Sequence, residues 1–85
     1  MIHVRVIKIL EGGTCPFGLK VGDTFTIGEK TPPGICHWAY LVIFPFATAL
    51  RFGGRIPWEE EGVCTVCCPD PNNPVVFEIR RIDNE

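Results

Sequence analysis

Between Ile35 and Phe52 the chain carries no Asp, Glu or Lys, and its first charged side chain there is Arg51. At helical spacing, Trp38, Ala39, Tyr40, Leu41, Val42, Ile43, Phe44, Phe46, Ala47, Ala49 and Leu50 point in every direction, so a helix over this stretch has no polar face to give to water. In a chain of 85 residues only about 60% of the unfolded surface can be buried, which leaves room for one core, so residues 1–85 read as a single domain. A small sheet can cover one side of such a helix; the other side needs more protein or lipid, because a bare apolar stripe of this size aggregates. Self-association into a homo-oligomer through the helix is the expected solution. A membrane span is disfavoured, since spanning takes about 20 apolar residues and this stretch is interrupted by His37, Pro45 and Thr48. Pro45 removes a helical hydrogen bond, so a kink is expected there, with two shorter helical pieces as the alternative.

The remaining apolar runs have the period of strands. Residues 2–10 are rich in Ile and Val with His3, Arg5 and Lys8 between them, and they end at Glu11-Gly12-Gly13. Thr24-Phe25-Thr26-Ile27 alternates after a turn-rich segment, residues 63–68 are β-branched and cysteine-rich, and residues 75–82 place Val75, Phe77 and Ile79 opposite Glu78 and Arg80. The last strand is expected to pair with the first. The predicted architecture is α+β: a small antiparallel sheet of about four short strands packed on one apolar central helix.

A formal charge of −2 from 8 basic and 10 acidic residues, with the basic ones scattered, argues against a nucleic-acid partner, whose phosphates call for clustered Lys and Arg. Met1-Ile2-His3-Val4-Arg5-Val6 opens directly into a strand pattern and not into a basic segment followed by an apolar one. A cytoplasmic location is therefore expected. There an odd count of five cysteines points away from a disulfide framework and towards metal ligation or thiol reactivity.

Several motifs recur in a recognisable order: Cys15-Pro16 with Gly18, Lys20, Gly22 and Asp23; Gly34-Ile35-Cys36 with Trp38-Ala39; Pro45-Phe46; Leu50-Arg51-Phe52-Gly53-Gly54; Pro57-Trp58-Glu59-Glu60; and Cys68-Pro69-Asp70-Pro71 with Asn73-Pro74. Together they resemble a family of short, functionally uncharacterised bacterial and archaeal proteins over nearly the whole chain. The resemblance implies cysteines at the positions of Cys15, Cys36 and Cys68, whereas Cys64, Cys67 and His37 depart from its pattern. It implies no activity.

Thiolates are strong ligands for zinc and iron-sulfur clusters, and Cys15, Cys36 and Cys68 are the candidate ligand set, with His37, Cys64, Cys67 or solvent as the fourth. Spacing supports this weakly, since structural zinc sites usually pair two knuckles and only Cys64 and Cys67 form a Cys-x-x-Cys. In an extended strand those two point to opposite faces, and no helix follows them as a thioredoxin-like site requires. Cys36 lies after Pro33-Gly34 at the expected helix start, where free N–H groups favour an anion; each cysteine taken alone is as readily a small core hydrophobe. His3, Trp58 with its acidic run, and Arg51 with Arg55 are weaker candidates. The acidic run reads as a solvated loop, Trp58 as packed beneath it, and the arginines as compensating the helix dipole. The absence of serine removes a serine nucleophile, and Gly12-Gly13 lacks the lysine of a phosphate-binding loop. The expected function is a cysteine-site protein that binds metal or an iron-sulfur cluster or uses a thiolate. The alternatives are a non-catalytic oligomeric scaffold and an apolar small-molecule pocket between helix and sheet.

Overall fold

Alternation in Ile2-His3-Val4-Arg5-Val6 produces the first strand, β1 (Ile2–Ile9), in a computed structural model that describes residues 1–82. A 3-10 turn over Leu10–Gly12 follows, then β2 (Thr24–Ile27), the helix α1 (His37–Arg51), β3 (Val63–Cys67) and β4 (Val75–Arg81). The strands form one antiparallel sheet in the order β2-β1-β4-β3. This is the expected α+β arrangement, and the last strand does pair with the first, Val4 opposite Ile79 and Val6 opposite Phe77. The register shifts between Val6 and Lys8.

The period of two separates the faces of the sheet. Ile2, Val4, Val6, Cys64, Val75, Phe77 and Ile79 are almost free of solvent and share one cluster with Ala39, Ile43, Ala47 and Leu50 of α1. On the opposite face Glu78 accepts from Arg80 Nε at 2.9 Å and lies 3.7 Å from Arg5. The hydrogen bond from Arg80, then the charges of Arg80 and Arg5, hold the Glu78 carboxyl below the usual carboxylate range against the opposing effect of burial.

The helix runs unbroken through Pro45, so the alternative of two shorter pieces does not occur. It starts two residues later than expected, with Cys36 as its N-cap. At its other end Gly53, at φ 86°, turns the chain, and the carbonyls of Leu50 and Gly54 accept from Arg81 Nη1 at 2.8 and 3.3 Å. A cation from β4 thus binds the carbonyl end of the helix, joining the Gly53 N–H, which donates to the Leu50 carbonyl at 3.1 Å. Arg51 lies in the last turn, 5.2 Å over the ring of Phe52. The expectation for Trp58 is corrected: it is 73% exposed, whereas in the acidic run Glu59 accepts from the Thr65 N–H at 3.1 Å and Glu61 lies 3.8 Å from Arg81. Among the described residues no helix is long and apolar enough to cross a membrane.

Candidate functional site

Three turns converge beside the start of α1. The first is held to β1 by backbone bonds from Gly22 N–H to the Val6 carbonyl and from Val6 N–H to the Asp23 carbonyl, each 2.9 Å. Within it, Gly18 N–H donates to the Cys15 carbonyl at 3.1 Å, a tight turn that Gly18 permits at φ 91°. The second is the Pro33-Gly34 corner leading into Cys36. The third joins β3 to β4, where Asp70 accepts from the N–H groups of Asn72 at 2.9 Å and Asn73 at 3.3 Å, an Asx turn. Asn72, then Asn73, hold the Asp70 carboxyl below its usual range, with its slight desolvation opposing them.

Between these turns lies a cavity of about 350 Å³, at the lower end of the size range of small-molecule sites. Cys15, Pro16, Phe17 and Leu19 line one wall, Cys36, Trp38 and Ala39 a second, and Cys68, Pro69, Asp70, Asn73 and Val75 a third. The lining is mostly carbon and sulfur. All three cysteines singled out from the sequence therefore face one space, each from a different turn.

Their sulfurs are in different states. Cys15 is 8% exposed. Cys68 Sγ accepts from the Val75 N–H at 3.2 Å and donates to the Asn73 carbonyl at 3.7 Å. Cys36 is half-buried, and its Sγ accepts from the Ala39 N–H at 3.4 Å, replacing the oxygen that usually caps a helix. The candidate fourth ligands lie elsewhere. His37 is exposed, with its ring centroid 5.5 Å from that of Trp38. Cys64 is sealed under the sheet, and Cys67 is exposed, as strand alternation requires. Burial, then the negative charge of Glu59, push the Cys64 thiol up to about 11; burial, then Cys68, raise that of Cys67. Among the described residues no group of three or more His, Cys, Asp or Glu side chains is placed so as to hold a metal ion.

Asn73 was not legible as a site residue, because the sequence marks it only as part of a turn. Its Oδ1 accepts from the Thr14 N–H at 2.9 Å, joining two walls of the cavity. The approach is close: a Cβ on Gly13 would meet Asn73 Oδ1 at 2.7 Å and Asn73 Cα at 2.9 Å. Gly13→Ala should therefore separate the walls and cost about 1–2 kcal/mol. Chemical denaturation measures this, and an unchanged midpoint would show that the two turns do not constrain each other.

Comparison with known proteins finds no family model, curated protein or solved structure that matches this chain.

Proposed function

We propose that the chain is a cysteine-site binding protein whose cavity takes a small, mainly apolar organic molecule, with the thiols of Cys15, Cys36 and Cys68 as its sulfur contacts. The observation that carries this reading is that three cysteines from three separate turns line one apolar cavity. The lack of a close three-ligand group among the described residues favours an organic occupant over zinc or an iron-sulfur cluster. Within the cavity Cys36 is the reactive position: Cys15 is almost sealed, and Cys68 is engaged by both Val75 and Asn73. A function that needs free thiols suits a reducing compartment such as the cytoplasm.

The test is alkylation by monobromobimane in a Cys67→Ala background, read by mass spectrometry. The thiol sulfur displaces bromide, a C–S bond forms, and the thiol proton passes to solvent. Cys36 should take one bimane, Cys64 none, and a saturating apolar dye in the cavity should slow the reaction at Cys36. Equal rates with and without the dye would overturn the reading. So would stoichiometric zinc or iron in protein purified without oxygen, if it is lost on replacing Cys15, Cys36 and Cys68 by Ala.

A further inference from the structure

On the side of α1 away from the core, Trp38, Leu41 and Phe44 are 54%, 61% and 54% exposed, and Phe52, just past its end, is 75% exposed. Pro45 lies between them and is also exposed. From Thr31 to Leu50 there is no charged residue. A large aromatic side chain offers about 150–250 Å², so these four side chains present on the order of 500 Å². With Pro45 and the half-exposed flanks this approaches the roughly 800 Å² per partner of a standard stable interface. Lipid is the poorer fit, because a helix lying on a membrane carries Lys and Arg along its polar edge and α1 has only Arg51. The stripe also offers no charge for a differently charged protein to recognise, whereas a neutral apolar stripe matches its own copy, and an isologous two-fold contact asks for nothing more.

We infer that a second copy of this chain covers the stripe, helix against antiparallel helix, and that the contact completes the cavity. The second part rests on the proposed ligand site. In a two-fold arrangement centred on Pro45, Trp38 lies against Phe52 of the partner subunit. Trp38 is also cavity wall, as is Phe17, which is 64% exposed. The cavity mouth and the apolar stripe are one continuous surface at Trp38, so the partner's helix end closes what the single chain leaves open.

The test uses Leu41→Glu and, at the opposite end of the stripe, Phe52→Glu. Both side chains are exposed, so the fold should survive, as circular dichroism would confirm. Sedimentation velocity over a dilution series should show a dimer for the unaltered chain and a weakening of roughly 30-fold or more in each variant, the loss expected when a hot-spot side chain is replaced. Release of an apolar dye from the cavity should be faster in both. A monomer at every dilution, or dimers unaffected by either substitution, would overturn the inference; a monomer that binds neutral vesicles would assign the stripe to lipid. Dimers lost with dye release unchanged would refute completion of the cavity by the partner. Dye protection of Cys36 is read separately, so the ligand-site proposal and the dimer stand or fall independently.

Discussion

Phe77→Ala should lower stability by about 3–5 kcal/mol, the range for removing a fully enclosed aromatic side chain. Phe77 is among the largest side chains with no solvent exposure. It lies in β4, flanked by Val6 on β1 and Val66 on β3, so the void would open in the middle of the sheet, where neighbours cannot collapse without breaking two ladders. A domain of this size has only about 5–15 kcal/mol in total, and each kcal/mol moves the melting temperature by about 4–8 °C. A thermal melt should thus fall by more than about 12 °C. Because Val75, two residues earlier on the same face, lines the cavity, Cys36 should also lose its protection by dye well below the melting point. A fall of under about 5 °C would mean that the core is not organised around this ring.

Stability should decline between pH 9 and 11, and a large share of the decline should belong to Cys64. Its thiol ionises near 9.0 in a free chain but at about 11 in the fold. Below pH 9 both states are protonated and the full contribution is present. As pH rises through the interval the unfolded chain gives up its proton while the folded one keeps it, so unfolding is favoured; above about 11 the effect levels off. The difference amounts to on the order of 2 kcal/mol. Cys67 acts in the same direction. Urea midpoints for the native chain and for Cys64→Val, compared across this range, isolate the contribution: the variant should show the shallower decline. Parallel slopes would place the alkaline sensitivity in other groups.

The strands and the helix were legible because each rests on a local period. Ile2, Val4 and Val6 announce a buried strand face by themselves, and the division of Cys64 from Cys67 follows from alternation alone. Pro45 alone did not decide between one helix and two pieces: it lies on an exposed flank of α1, and the helix continues past it. Trp58 was misplaced because large aromatic side chains are usually buried, and nothing adjacent in sequence shows that no element lies over it. The convergence of Cys15, Cys36 and Cys68 on one cavity could be guessed from their turns but not its shape, since that depends on contacts such as Asn73 to Thr14 between residues far apart in the chain. Which groups each sulfur meets is likewise a tertiary fact, and it separates Cys36, which accepts from Ala39 in its own helix, from Cys68, held between Val75 and Asn73.

The order β2-β1-β4-β3 puts the first and last strands side by side at the centre of the sheet. During synthesis β1 emerges early with only the short β2 to pair with, and its inner neighbour is made last. β3 is then an edge strand with no sheet to join, and α1, apolar all round, has no complete surface to lie on. The nascent chain therefore cannot close its core one piece at a time. It must hold its most aggregation-prone segment until β4 clears the ribosome, so the emergence of β4, and shielding of α1 until that moment, set the pace at which this core closes.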